Sequence, residues 1–356
     1  MEGNFCDDER KCRGMDWMNT PIDKDKANEL LNLDLGYKEI ITYGKIDEWY
    51  TAWEGRCYVA FSGGKDSTVL AYLVARYIDS FKEPPYKLTL VFINTGLEYP
   101  EIQKFVNEYA AWLQKEFPRI TVELVRRRPT LNIRQVLQQF GYPVISKEVS
   151  EVIRFARQNP TGQKAKRLRG ETLAPDGTKS QFNLERWGFL LDAPFAISEW
   201  CCTAMKKKPS KAFARETGGK QMVATMADES RQRKMTWMRL GCNVFSGNHI
   251  ASKPMSFWKE KDVLAFIQEN NIPIASVYGE IVNGHCTGCQ RTGCMFCALG
   301  AQYEKGENRF ERMKHTHPRH YDFCIGGGEF DTDGLWKPND KGLGFARVLD
   351  FVGVRY

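Results

Sequence analysis

The sequence predicts an α/β protein built on a doubly wound parallel sheet. Short apolar runs rich in β-branched and aromatic residues alternate with longer segments of helical spacing, the signature of a sheet covered by helices on both faces. The first such strand and helix, residues 57–61 and 65–81, are joined by a turn with two glycines. At 356 residues and 42% hydrophobic content the chain can also bury a sizeable core.

The elements follow in order. Residues 1–45 are polar and mixed in charge and read as an N-terminal helical extension. Within it, 23–35 carries Ala27, Leu30, Leu31 and Leu35 at helical spacing, with Gly36 as the expected stop. Residues 46–53 predict a short helix leading into the strand 57–61. The helix 65–81 puts Val69, Leu70, Leu73 and Val74 on one face. A second strand is expected at 87–95 and a helix at 99–117, with Ile102, Phe105, Val106, Tyr109 and Leu113 on one side. A third strand follows at 120–125, then helices at 132–140 and 147–157. Gly, Lys, Arg, Thr and Pro dominate 159–182, which predicts a long surface loop or lid. A strand is expected at 221–226 and a helix at 259–270, with Val263, Phe266 and Ile267 inward. Residues 348–354 form a short apolar piece expected to dock on the core. The division expected from this pattern is 1–45, an α/β domain at 46–272, and a cysteine-rich segment at 273–356.

The turn after the first strand reads Ser62-Gly63-Gly64-Lys65-Asp66-Ser67. Paired glycines let backbone amides approach an anion, and the helix start adds unpaired N–H groups at the positive end of its dipole. Lys65 adds a cation, and Ser62 and Ser67 add hydroxyls. The loop is too short for a Walker pattern. In a parallel sheet, ligands sit beyond the carboxyl ends of the strands, where this loop and Asn94-Thr95-Gly96 both fall.

Net charge is +7, and basic residues bunch at 126–128, 164–169 and 206–208. That excess is compatible with an anionic substrate or nucleic acid, and equally with solvated basic faces. No apolar run approaches the roughly 20 residues of a membrane span, and the first residues lack an apolar signal core. A cytoplasmic location without a membrane partner is the expectation. Of the eleven cysteines, Cys201-Cys202, Cys286-x-x-Cys289 and Cys294-x-x-Cys297 form tight groups. In a cytosolic chain such groups favour metal or redox chemistry over disulfides. The two C-x-x-C units are too close together for a zinc ribbon. Adjacent cysteines, whose side chains diverge, suit different irons of one cuboidal cluster better than one zinc.

Two resemblances emerge from these residues. Ser62, Gly63, Gly64, Asp66 and Ser67 fill the SGGxDS pattern of the pyrophosphatase (PP) loop of the adenine-nucleotide α-hydrolase superfamily, whose fold is Rossmann-like. Members cut ATP between the α and β phosphates and adenylate a substrate. The segment CCTAMKKKP, through Cys201, Cys202, Lys206 and Pro209, resembles the CC-x-x-R-K-x-x-P segment of iron–sulfur adenylylsulfate reductases, with Met205 in place of the Arg. ADESRQR supplies Glu229, Ser230 and Arg233 of a further family stretch, with Met226 where another Arg would stand. Pro254, Trp258, Asp262, Val263, Phe266 and Ile267 match a third, and Gly293, Cys294 and Cys297 the closing one. Over roughly residues 55–300 the chain is similar to the phosphoadenosine phosphosulfate reductase-like family.

The resemblance implies a 4Fe–4S cluster on Cys201, Cys202, Cys294 and Cys297, with Lys206 as a nearby cation and catalytic candidate. It implies ATP and Mg²⁺ at the loop: amides of Gly63 and Gly64 with Ser62 and Ser67 on the β,γ-phosphates, Lys65 on the leaving pyrophosphate, and Asp66 on the metal ion. Asn94, Thr95, Gly96 and Glu98 would line the nucleotide pocket, and Arg231 and Arg233 would meet a substrate phosphate. Cys286 and Cys289 stay open between alternative ligands, a redox pair, and half of a zinc site completed by Cys6 and Cys12. Cys57, Cys242 and Cys324 read as ordinary thiols, and His315, His317 and His320 as surface or capping residues.

The reductases carry a nucleophilic cysteine in a short C-terminal tail and a degraded nucleotide loop. Here the loop is intact and no cysteine follows Cys324. That combination resembles the sulfur-inserting branch, with its tRNA thiolases and DNA phosphorothioation proteins. The leading expectation is an ATP pyrophosphatase that adenylates an anionic acceptor, nucleic acid or nucleotide, and supports sulfur transfer with a donor such as a cysteine desulfurase. The alternatives are a (phospho)adenylylsulfate reductase served by thioredoxin, and a non-catalytic nucleic-acid-binding module with a structural cluster.

Overall fold

The computed structural model describes residues 21–82 and 86–356. The chain forms two compact units whose segments alternate along the sequence. One takes the described residues through Asn94, then Tyr99–Arg127 and Ser210–Thr292; the other takes Thr95–Glu98, Arg128–Pro209 and Gly293–Tyr356. This replaces the linear division at 45 and 272. A boundary drawn from composition follows chain order, whereas a compact unit collects whichever segments pack together.

The first unit holds a six-stranded sheet in the order Ile120–Arg127, Tyr86–Ile93, Cys57–Ala60, Lys220–Met222, Ala251–Ser252, Asn243–Val244. The central strand is parallel to both neighbours, with Val59 beside Leu90 and Met222. Its residues are apolar in sequence because the strand is covered on both faces. The parallel sheet predicted from sequence is present, but its last strand runs antiparallel. The link from Val244 to Ala251 is too short for a parallel crossover.

Helix Lys65–Asp79 is buried over most of its length. Tyr109, on helix Pro100–Glu116, stacks on Phe61 with ring centroids 5.3 Å apart. Its hydroxyl donates to the Thr68 carbonyl at 2.8 Å. Phe266, on helix Glu260–Glu269, meets both Tyr72 and Trp258 edge-on.

The N-terminal region differs from expectation. Helix Lys24–Asn32, capped by Asp23 through the Lys26 amide at 2.8 Å, ends before Leu33. A second helix, Leu35–Ala52, then absorbs Gly36 and the predicted helix at 46–53. Lys38, Thr42, Ile46 and Trp49 are its buried residues and recur at helical spacing. Burial of that stripe outweighs the poor helix propensity of Gly36 and Gly44.

The second unit is built of helices with short strand pairs. Val144–Ile145 pairs in parallel with Ala298–Leu299. Its core gathers around Tyr142, whose ring meets Phe195 and Phe345 and whose hydroxyl donates to the Leu343 carbonyl at 2.7 Å. Phe345 opens helix Phe345–Val352, so the apolar piece near the C-terminus is part of this core. Residues 159–182 are not one loop: they contain helix Gln163–Arg169, ended by Gly170 at φ +74°. The basic run on that helix is paired, Lys164 with Glu151 at 3.2 Å, Arg167 with Glu148 at 2.7 Å and Arg169 with Glu171 at 2.6 Å. Arg126 and Arg127 likewise bind Asn107 and Glu216, each at 2.6 Å. No described helix is long and apolar enough to cross a membrane.

Candidate functional site

The strand Cys57–Ala60 delivers the chain to the glycine turn, with the Phe61 amide still donating to Val91 O at 3.0 Å. Gly63 adopts φ +72°, where a Cβ would stand 2.8 Å from Val106 Cγ2 and 2.9 Å from Ile102 Cγ2. Glycine is therefore required there twice, by backbone conformation and by space. Gly64 occupies the N-cap of helix Lys65–Asp79. The serines tie the turn together: the Ser62 amide donates to Ser67 Oγ at 3.1 Å, the two hydroxyls lie 3.0 Å apart, and Ser67 Oγ donates to the Gly64 carbonyl at 2.9 Å.

Lys65 is only 3% exposed. Its Nζ lies 3.0 Å from Glu260 Oε1, donates to the Gln290 carbonyl at 3.0 Å, and stands 3.6 Å from Asp66 Oδ1. Burial alone would lower its pKa, but Asp66 and Glu260 together outweigh that and hold it above its ordinary value. The Asp66 carboxyl is pushed up by burial and then by Glu229 and Glu260, against the pull of Lys65 and Arg291. Asp66 Oδ1 is buried without a hydrogen-bond partner among the described residues. A buried carboxylate oxygen with spare lone pairs is the kind of ligand hard divalent cations take, although no three acidic side chains among the described residues gather round one ion. Asp66 thus offers a Mg²⁺ ion one protein ligand, and hard cations of this kind complete their shell with water and phosphate oxygens.

Sequence reasoning missed the residues around this lysine. The Lys65 amide donates to Tyr278 Oη at 3.2 Å, and that hydroxyl is 2.6 Å from Thr292 Oγ1. Tyr278, Gln290 and Thr292 lie over 200 residues away in the chain and carry no local motif. Glu260 opens helix Glu260–Glu269, where an acid suits the positive end of the helix dipole and gives no sign of a distant lysine. Arg233, in the first turn of helix Arg231–Leu240, pairs with Glu229 just before that helix, and both Arg231 and Arg233 are exposed.

Asn94 belongs to the same unit; its side chain accepts from Gln103 at 3.0 Å and its amide donates to the Arg127 carbonyl. Thr95 and Gly96 fall in the other unit, where Thr95 Oγ1 donates to Glu98 Oε1 at 2.7 Å. The stretch expected to line one pocket edge is therefore divided at Asn94.

In that second unit Cys201 and Cys202 lie in the helical turn Trp200–Cys202, which continues as π-helix over Thr203–Lys207. Such widened turns often sit at functional positions. Cys294 and Cys297 bracket a tight turn, the Cys297 amide donating to the Cys294 carbonyl at 3.2 Å, and Arg309 braces it by donating to the Cys297 carbonyl at 3.0 Å. The thiols share one electrostatic environment. Burial pushes Cys201 up, and Cys294, Cys202 and Cys297 push it further. Cys294 is raised to about 11 by burial, with Lys206 pulling the other way. Lys206 is itself held above its ordinary value: burial opposes, and Cys294, Glu98 and Cys202 prevail.

Among the described residues no three His, Cys, Asp or Glu side chains close on a single ion. Ligands of one zinc would each have to reach it at about 2.3 Å, whereas thiolates on separate irons of a cluster are spread apart. Four soft donors near one lysine fit such a cluster.

Cys286 and Cys289 belong to the first unit, with the phosphate loop. Cys286 is buried and raised by that burial, with Lys65 opposing. Cys6 and Cys12 lie outside the described residues. Cys57, raised to about 12 by burial, and Cys242 and Cys324 are thiols within the packed interior. His315 and His320 are exposed, and the amide of His317 caps a helix end at the Met313 carbonyl.

A mostly parallel sheet flanked by helices, with a glycine turn at the carboxyl end of its central strand, defines the class: a Rossmann-like α/β protein. The family model of the phosphoadenosine phosphosulfate reductase domain matches residues 56–174 and 146–299, more than half the chain, and the protein belongs to that family. Among solved structures, the chain is similar at 15% identity to the U34-tRNA thiolase NcsA from Methanococcus maripaludis with its 4Fe–4S cluster. That match covers 79% of this chain and 77% of the other, with a TM-score of 0.34. Nothing about this chain's chemistry follows from a likeness of that size. No curated protein matches the sequence.

Proposed function

We propose that the protein is an ATP pyrophosphatase that adenylates an anionic acceptor and supports sulfur transfer. The observation that carries this reading is the complete Ser62–Ser67 loop at the end of the central strand, in which Lys65 is buried and Asp66 half-buried. The amides of Gly63 and Gly64 with the Ser62 and Ser67 hydroxyls receive the β,γ-phosphates. Lys65 offsets the charge that develops on the leaving pyrophosphate. Asp66 would hold Mg²⁺, which would supply positive charge against that of the phosphates. An acceptor oxygen attacks the α-phosphorus, the α–β bridging bond breaks, and pyrophosphate leaves. Sulfide then displaces AMP from the adenylated acceptor; where the donor is a cysteine desulfurase, whose sulfur arrives as a persulfide, a dithiol reductant supplies the two electrons that release it as sulfide and is itself oxidised to the disulfide. Cys201, Cys202, Cys294 and Cys297 would hold a 4Fe–4S cluster, with Lys206 offsetting its negative charge; bound there, it supplies a site for sulfur or electrons.

The test is pyrophosphate release from ATP by anaerobically purified protein, with iron and sulfide quantified on the same sample. ATP-dependent pyrophosphate with about four irons per chain supports the reading. A second reading, favoured by the family match itself, is reduction of adenylylsulfate or its 3′-phosphate with a thiol partner such as thioredoxin. Iron without pyrophosphate, and sulfite and AMP formed from adenylylsulfate with a thiol donor, would select it.

A further inference from the structure

The segment 276–292 lies against the phosphate loop and occupies the groups that loop would offer an anion. The Lys65 amide, at the N-terminus of its helix, donates to Tyr278 Oη at 3.2 Å. A Cβ on Gly64 would stand 3.3 Å from that same oxygen and 3.4 Å from Thr292 Oγ1. The Lys65 ammonium is turned to the Gln290 carbonyl and Glu260. Amide and ammonium of the loop lysine thus both end on oxygens of the protein itself.

We propose that segment 276–292 is a strap that closes the loop. The Tyr278 hydroxyl sits where a phosphate oxygen binds, and a triphosphate or pyrophosphate enters by displacing it. The proposal rests on the reading of 62–67 as a phosphate loop.

The strap is built to move as one piece. The Gly288 and Cys289 amides donate to the Tyr278 and Val277 carbonyls at 2.8 and 2.9 Å, and Ile281–Val282 pairs with His285–Cys286. A Cβ at Gly288 would stand 2.4 Å from the Val277 carbonyl oxygen, so only glycine allows this approach. Among the described residues its hydrogen bonds to the loop are the single ones at Tyr278 and Gln290; the Lys65 ammonium also lies 5.7 Å from the Tyr278 ring centroid, and an ion pair, exposed Arg291 to Glu229 at 3.6 Å, flanks them. Bonds of this kind exchange readily for the stronger, charge-assisted bonds that phosphate oxygens make to the same donors. The tyrosine is therefore a gate and a positioning residue: it keeps the loop amide satisfied until an anion of sufficient charge replaces it.

The test is calorimetric titration of inorganic pyrophosphate and of Mg·ATP into the full chain, its Tyr278→Phe variant and its Thr292→Val variant. Tyr278→Phe removes the competing oxygen and leaves room for a phosphate oxygen. Binding should tighten about two- to tenfold, the range set by losing one ordinary competing hydrogen bond. Thr292→Val loosens the hydroxyl without removing it and should tighten binding by less. In the parent protein, hydrogen exchange over 276–292 should rise when pyrophosphate binds. Weaker or unchanged binding in both variants, or slowed exchange on binding, would overturn the strap while leaving the phosphate loop standing. Absence of binding in all three proteins would remove both the strap and the loop reading.

Discussion

The Lys38 ammonium stands 2.5 Å from Asp262 Oδ2, both side chains buried, though the residues are 224 positions apart. Asp262 also accepts the Lys259 amide at 2.7 Å and so caps the helix that begins at Glu260. Glu260 in turn meets Lys65. One buried ion pair therefore joins the N-terminal helices to the helix start that supplies an acid to the phosphate loop.

Removing one partner should be costly. Lys38→Met leaves the Asp262 carboxylate buried beside no cation and should lower stability by about 3–5 kcal/mol. The double change Lys38→Met with Asp262→Leu should recover part of that loss, since no uncompensated charge remains. Urea denaturation of the three proteins measures both effects. Equal stability of parent and Lys38→Met would show that the pair is not what anchors the helix.

At Gly63 an alanine has neither the backbone conformation nor the space. Gly63→Ala should lower stability by at least about 1–2 kcal/mol, the cost of a left-handed residue with a Cβ, and weaken pyrophosphate binding. A thermal melt and a titration check both. The same change at Gly218, which also has positive φ but nothing within 4 Å of a Cβ, should carry the backbone cost alone.

The Asp66 carboxyl is raised by burial, so the folded protein holds that proton more tightly than the unfolded chain. Its ionisation therefore opposes folding. The penalty is absent below the ordinary value of 3.8, grows as pH rises towards the raised value, and is constant above it. Asp66→Asn should be more stable than the parent at neutral pH, and the advantage should vanish in acid. The same variant should lose pyrophosphate release by about 10²-fold or more, the scale of losing one electrostatic stabiliser, while its iron content is unchanged. Stability curves against pH and a pyrophosphate assay separate the two effects. Retained turnover would remove Asp66 as the metal ligand.

Cys297→Ser should reduce iron from about four per chain to a small fraction of that, because a four-thiolate cluster depends on each ligand. Cys324→Ser, at a fully buried thiol outside the four proposed ligands, should leave the iron count alone. Colorimetric iron and sulfide analysis distinguishes the two. Full iron in Cys297→Ser would send the assignment towards Cys286 and Cys289.

The glycine turn, the central strands and the helices at Lys65–Asp79 and Pro100–Glu116 were legible because their signals are local. A strand run, two glycines and a helical stripe lie within some 25 consecutive residues. Gly36 misled for the complementary reason: its low propensity is also local, and the stripe from Lys38 to Trp49 that overrides it acts through tertiary burial. Residues 159–182 read as loop because seven helical residues in a polar, glycine-flanked run carry little periodicity.

By itself the sequence determined which reactive groups are on offer: a glycine turn that carries a lysine and an aspartate, and two pairs of cysteines, Cys201-Cys202 and Cys294-x-x-Cys297. Only the tertiary structure decided what surrounds Lys65, because Glu260, Tyr278, Gln290 and Thr292 reach it across some 200 residues by packing, and no spacing rule encodes contacts of that range. It also assigned Cys286 and Cys289 to one compact unit and Cys201, Cys202, Cys294 and Cys297 to the other. The chain passes from one compact unit to the other between Thr292 and Gly293, a boundary set by which segments bury surface together and invisible in two C-x-x-C units that follow closely in sequence.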